Sequence, residues 1–273
     1  MRLHVVLPNE SPDTGPAHLT ALARAAERLG YGGLWLGDHL LPPTAELGVV
    51  HEPLVTLAHL AAVTSRIRLG TSVLLLTLRN PFAVAKQAAT LDRLSAGRFT
   101  LGVGLGWEQQ EFAAVGADFA DRAGRTDEAL RLLRHLFTQG SGPFEGERFG
   151  FTTGTFAPRP GPGLKIMVGG TSPAALRRAA RSADVWQSPQ IEPQRFAALA
   201  GALREQAAGR PVETGARGSW EDSRVPVARV VAELRAWEAA GAGHLALWFG
   251  ARDGFEERMT ALADAADPGW LTD

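Results

Sequence analysis

The stretch Leu69-Gly-Thr-Ser-Val-Leu-Leu-Leu-Thr-Leu-Arg-Asn-Pro-Phe-Ala-Val-Ala-Lys-Gln-Ala-Ala-Thr-Leu-Asp-Arg-Leu-Ser-Ala-Gly-Arg-Phe-Thr-Leu-Gly-Val-Gly-Leu-Gly-Trp107 decides the fold. It opens with an apolar, β-rich run. Asn80 is placed as an N-cap and Pro81 at the first helical position, where its missing N–H costs nothing. The helix runs to Leu94, and a second apolar run follows and ends in glycines. This is a β-α-β unit, so both strands run the same way and their C-terminal ends share one rim.

The same alternation continues on both sides. Apolar runs recur at 3–7, 33–37, 67–75, 98–103, 164–168, 183–187 and 244–249, with a weak candidate near 212–216. Alanine-rich segments of helical period lie between them at 17–29, 53–64, 81–94, 121–137, 173–180, 193–208, 226–240 and 254–266. Eight strand–helix units in this length predict a (β/α)8 TIM barrel in one domain spanning 1–273. A doubly wound open sheet is the other fold this pattern allows. Residues 140–162 break the rhythm and read as an insertion, with short β pieces near 146–151 and 155–158. It is placed either as a lid or as a surface excursion.

Composition narrows the function. The 273 residues carry 28 basic and 29 acidic side chains and no cysteine. Without a basic stripe, nucleic acid and anionic membrane are poor partners. Without cysteine there are no disulfides, thiolate metal sites or thiol nucleophiles, which suits a cytoplasmic protein. The opening run Leu3–Pro8 lacks the shape of a signal peptide, and no apolar run reaches membrane-spanning length. The histidines show no metal-ligand spacing.

In a barrel the chemistry belongs at strand C-terminal ends, which selects a short list. Asp38 and His39 directly follow Leu34-Trp-Leu-Gly37, and His39 is the natural acid–base candidate. The competing reading is a capping Asp38 and a satisfied rim His39. Glu10, just after the first strand, also reaches the mouth or is a solvated loop acid. Thr71, Ser72 and Val73 end the third strand with side chains small enough for a planar ring to approach. Gly102-Val-Gly104-Leu-Gly106-Trp107 ends the fourth. Its glycines leave room for a ring edge, and Trp107 can stack on the ring. It is not a dinucleotide fingerprint. Glu108 and Glu111 fit a helix first turn. In Lys165-Ile-Met-Val168-Gly169-Gly170-Thr171-Ser172-Pro173, an apolar strand meets a proline-opened helix. Free N–H groups and hydroxyls there form an anion site. Arg177 and Arg178 raise its potential.

These blocks resemble the bacterial luciferase-like oxidoreductases, from Leu3 to about Trp248. The residues that carry the resemblance are Gly33-Leu-Trp-Leu-Gly-Asp38-His39, the 69–107 segment, Glu111-Phe112, Gly169-Gly-x-Ser172 and the strand Ala183-Asp-Val-Trp186-Gln187. The resemblance implies a (β/α)8 barrel with the Asp38–His39 pair at the cofactor, and it assigns proton transfer to His39. It implies a cis peptide at Ser72–Val73, a cofactor phosphate at Gly169–Ser172 and Trp186 near the cofactor. The length, the pair and the Thr71-Ser-Val73 run look most like the branch that uses the deazaflavin coenzyme F420. That implies hydride transfer between its ring and a small organic substrate. Other readings are an FMN-dependent monooxygenase fed by a flavin reductase, or a flavin-binding protein without turnover. Family members commonly form homodimers. Alcohol-oxidising members often carry a tryptophan soon after the pair, where this chain has Leu40-Leu-Pro-Pro43. No catalytic glutamate carries over to Trp107.

Overall fold

The computed structural model describes residues 1–11, 14–41, 50–250 and 253–272. Its strands are β1 (Arg2–Val6), β2 (Gly33–Leu36), β3 (Arg68–Thr71), β4 (Leu74–Leu75), β5 (Phe99–Gly104), β6 (Phe144–Glu145), β7 (Gly150–Phe151), β8 (Lys165–Gly169), β9 (Val185–Ser188), β10 (Glu213–Ser219) and β11 (His244–Trp248). Its helices are α1 (Pro16–Arg28), α2 (Pro53–Val63), α3 (Pro81–Leu94), α4 (Gln109–Ala114), α5 (Arg122–Thr138), α6 (Pro173–Ser182), α7 (Pro193–Gln206), α8 (Val227–Ala239) and α9 (Phe255–Ala265).

The sheet order is β3-β2-β1-β11-β10-β9-β8-β5-β4, and β3 also pairs with β5. All these pairings are parallel, and the extra one closes the sheet into an eight-stranded barrel, β3 and β4 together making one staggered strand. β1 meets β11 at Arg2↔His244 and β2 at Val5↔Leu34. The alternation of side chains along each strand divides the core in two. Outward residues such as Leu34, Leu36, Leu101 and Trp186 pack beneath the helices in one large apolar layer. Inward residues, among them Val6, Trp35, Met167, Val185 and Ala246, fill the barrel. The predicted helix starts appear as capped ends. Asn80 accepts from the N–H of Phe82 and Ala83, and Ser172 Oγ accepts from the N–H of Ala175.

Three sequence expectations are adjusted. The run 67–75 is not one continuous strand: it breaks at Ser72–Val73, whose peptide bond is cis as the resemblance implies. The weak strand near 212–216 is instead the seven-residue β10, which reaches Ser219. The insertion carries the short antiparallel hairpin β6–β7. It lies on the outside of α3 and α5, tied by Glu128 to the N–H groups of Arg148 and Phe149 and by Asp92 to that of Gly161. It is a surface excursion, because none of its residues borders the cavity at the barrel mouth. The other expected pocket-lining segment, 40–52, lies largely outside the described residues.

Candidate active site

A cavity of about 550 Å3 opens at the C-terminal ends of the strands. Glu10 and Asp38–His39 contribute from the loops after β1 and β2, and Ser72–Val73 from the β3–β4 junction. Gly104–Trp107, Gly169–Ser172, Gln187–Pro189 and Arg217 complete the wall. A hollow of about 570 Å3 near α7 and α8 lies outside the barrel, bordered by the exposed Arg229–Glu233 pair.

The acid–base candidate is held by a glutamate from a separate element. His39 Nδ1 lies 3.0 Å from Glu111 Oε2 on α4. Glu111 is fully buried, and its other oxygen accepts from the N–H of Leu40 at 2.6 Å and Leu41 at 2.9 Å. One carboxylate thus fixes both the loop and the ring. Nδ1 faces the carboxylate, and Nε2 has no partner among the described residues. Trp107 meets the ring edge-on, with centroids 5.8 Å apart. Glu108 does only what a first-turn acid does: it caps α4 through the N–H of Gln110.

Asp38 sits beside His39 but is committed elsewhere. Its oxygens accept from Arg79 at 2.7 and 3.3 Å and from the N–H of Leu75 at 2.9 Å. It therefore pins the strand immediately after the Ser72–Val73 bond. Glu10 lies across Gly37, where a Cβ would stand 1.6 Å from its Oε1. Only a glycine lets that acid border the cavity.

The opposite wall fits a phosphate-bearing planar cofactor. Among the described residues the N–H groups of Thr171 and Ser172 at the start of α6 meet no backbone acceptor, and a helix N-terminus favours an anion. Ser188 Oγ on the same cavity is buried and has no hydrogen-bond partner among the described residues. A Cβ at Gly104 would lie 2.5 Å from Val73 Cγ2, so only glycine lets Val73 pack against that strand end at the cavity wall. Arg178, expected to strengthen the anion site, is instead buried against Asp127 at 2.6 Å.

Beneath the cavity, polar side chains are threaded among the apolar residues that fill the barrel. Ser72 Oγ donates to Gln187 Oε1 at 2.5 Å, and Gln187 Nε2 lies 3.1 Å from His244 Nε2. Arg217 Nη1 donates to the Ser72 carbonyl oxygen at 3.0 Å.

The structure gathers Glu10, Asp38, His39, Ser72, Val73, Gly104, Gly106, Trp107, Gly169, Gly170, Thr171 and Ser172 around one cavity. It does not place Thr71, Val168 or Trp186 there. Thr71 Oγ1 donates to the carbonyl of Gly102, inside the sheet. Val168 and Trp186 point outward into the layer under the helices. Trp186 stacks on Phe196 and donates to the Gly170 carbonyl at 2.8 Å, so it supports the rim from behind. Gln187, the next residue, takes the inward place. Sequence reading missed Gln187, Ser188 and Arg217, and it left Glu111 as a helix-end acid. Period-two alternation on β9 was the available signal for Gln187.

The Luciferase-like monooxygenase family model matches residues 1–271. An F420-dependent glucose-6-phosphate dehydrogenase from Kineococcus radiotolerans is 38% identical over 173 residues, covering 62% of this chain and 51% of that protein. A 4-hydroxyprotoasukamycin monooxygenase from Streptomyces nodosus subsp. asukaensis is 42% identical over 117 residues, covering 43% of this chain and 31% of that protein. The chain spans about half the length of the first of these relatives and about a third of the second. Among solved structures, an F420-dependent secondary alcohol dehydrogenase in complex with an F420–acetone adduct superposes with a TM-score of 0.84. It is 16% identical, with 98% of each chain covered. With its model matched from end to end, a closed parallel barrel and a glycine-edged cavity at the strand ends, the chain belongs to the luciferase-like monooxygenase family.

Proposed function

We propose that this protein is an oxidoreductase that transfers a hydride between coenzyme F420 and a small organic substrate, with His39 moving the accompanying proton. The observation that carries this reading is the His39–Glu111 pair, 3.0 Å apart at the cavity edge.

The deazaflavin ring, when bound, supplies the hydride chemistry; the chain supplies position and the proton. The Thr171 and Ser172 N–H groups and Ser172 Oγ would hold phosphate. Val73 and Gly104 would border the ring. Glu111 holds the His39 imidazole so that Nε2 is presented to the reacting group, and Nε2 gives or takes the proton. Trp107 stands nearly at right angles to the His39 ring at the cavity edge, where it can border a bound molecule. The relative named as a glucose-6-phosphate dehydrogenase supports F420. The stretch Leu40–Leu41, where alcohol-oxidising members of the resembling family often have tryptophan nearby, argues for a substrate other than a sugar phosphate.

A second reading, an FMN-dependent monooxygenase, is favoured by the 42% identity to a monooxygenase. Titration of the purified protein with each cofactor separates the two. Coenzyme F420 is expected to bind at least about tenfold more tightly than FMN. Tighter FMN binding, with substrate-dependent oxygen consumption after reduction, would replace the first reading by the second.

A further inference from the structure

The inner wall of the cavity carries a cation that the proton-transfer pair does not use. Arg217 stands on β10, one strand from the β11 edge where the sheet joins β1. Its hydrogen bond to the Ser72 carbonyl is its sole protein hydrogen bond among the described residues. A guanidinium carries five N–H donors in a fixed fork, so most of its capacity is unused. Glu10 is the acid whose charge reaches it, and no ion pair within 4.0 Å joins them. Burial pulls the guanidinium below its ordinary value, and Glu10 opposes that pull.

Other partly or fully buried arginines spend their donors within the chain, Arg98, Arg210 and Arg258 each on several backbone carbonyls and two more on carboxylates. Arg79 meets Asp38 at 2.7 Å and Arg178 meets Asp127 at 2.6 Å. Those cations are neutralised by the chain itself. Taking a charge from water without a close partner is unfavourable, and a ligand anion in the cavity would relieve it. Arginine's planar fork suits an oxyanion with two oxygens, or an oxygen beside a ring nitrogen.

We infer that Arg217 recognises an oxyanion in the molecule bound at the barrel mouth, with Glu10 weakening that hold by its own charge. This rests on reading the cavity as an oxidoreductase site. Two sources supply the same chemistry: a carboxylate on the substrate, or the negative charge on the edge of a reduced deazaflavin or flavin ring. Arg217 sets substrate class in the first case and favours the reduced cofactor in the second.

The test compares wild type with Arg217→Gln, Arg217→Lys and Glu10→Gln. Calorimetry on the protein as purified measures benzoate against benzamide, which share shape and differ in charge. Anaerobic titration measures reduced against oxidised coenzyme F420. Arg217→Gln is expected to weaken one charged ligand by about tenfold or more, the loss of a charge-assisted hydrogen bond. Its neutral counterpart should move by less than about threefold. A benzoate effect assigns the substrate as source, and a reduced-cofactor effect assigns the ring. Arg217→Lys, which keeps the charge without the fork, should fall between. Glu10→Gln should tighten the same ligand, a gain that a packing role does not produce. The inference is overturned if charged and neutral ligands weaken together, or if wild type prefers neither charged ligand. If wild type binds no cofactor at all, the oxidoreductase reading fails while the benzoate comparison still decides Arg217.

Discussion

At the C-terminal ends of the strands, His39 and Glu111 stand beside an open cavity; at the N-terminal ends, His4, His244 and Trp35 close on one another. The lower rings are stacked, His4 and His244 with centroids 4.8 Å apart and Trp35 5.7 Å from each. Trp35 Nε1 donates to His4 Nδ1 at 2.9 Å, which requires that nitrogen to be unprotonated. Burial first of all drives both imidazoles toward the neutral form. His244 is brought down to about 4 with Lys165 assisting, and His4 is well below its usual range with His244, Arg68 and Arg2 assisting. The upper histidine meets a buried carboxylate, and the lower ones meet each other and nearby cations. The same residue type is thus held by a buried carboxylate at one rim and packs as a neutral ring at the other. Gln187 bonds both levels, Ser72 above and His244 below.

Breaking the upper pair should have the largest effect. His39→Ala is expected to lower kcat by about 10²–10⁴-fold, the usual contribution of a general acid–base group. A thermal melt should fall by only a few degrees, since the fully buried Glu111 loses one partner but keeps the Leu40 and Leu41 N–H groups. Kinetics within a few-fold of wild type would move the proton-transfer role to Glu10 or another cavity group.

Asp38 sharpens the contrast within the upper rim itself. Asp38→Ala leaves Arg79 with Glu52 alone, at 3.1 Å, and strips the Leu75 N–H of its acceptor. A loss of about 3 kcal/mol in urea unfolding is expected, the scale for breaking a buried ion pair. A loss below about 1 kcal/mol would mean the pin at the β3–β4 junction is dispensable.

The lower rim should fail in acid. Unfolding restores the ordinary imidazole value of 6.5, against about 4 for folded His244. Between those pH values the unfolded chain binds more protons, so stability falls as pH drops from about 6.5 toward 4. His244 alone contributes roughly 3 kcal/mol to that loss, and His4 adds to it. His244→Asn should flatten the pH dependence of urea midpoints. An unchanged slope would show that these rings are not the acid-labile element.

The smallest effect is expected at the α6 cap. Ser172→Ala removes one acceptor for the Ala175 N–H and should cost about 1 kcal/mol of stability. It should also weaken binding of a phosphate-bearing cofactor. Stability loss with unchanged cofactor affinity would confine Ser172 to capping.

Local chemistry explains which parts of this molecule were legible in advance. Asn80-Pro81 and Ser172-Pro173 announce helix starts because their hydrogen bonds reach only a few residues along the chain. Runs such as 33–37 are apolar on both faces because helices cover Leu34 and Leu36 on one side and the barrel core takes Trp35 on the other. β10 was read short because Glu213-Thr-Gly-Ala-Arg-Gly-Ser219 is polar and glycine-bearing. That reading stopped one residue before Arg217. Trp186 was assigned to the cavity by resemblance, but alternation along β9 sends it outward and Gln187 inward.

The sequence by itself determined the alternating architecture, the Asp38–His39 pair at a strand end and the Ser172-Pro173 helix start. Each follows from a periodicity or from contacts within a few residues. Only the tertiary structure decided what each acid does. Glu111 is 72 positions from His39 and Asp38 is 41 from Arg79, and both pairs form because barrel closure brings separate loops to one rim. Pairing of that kind depends on register around a closed sheet, which no local stretch encodes.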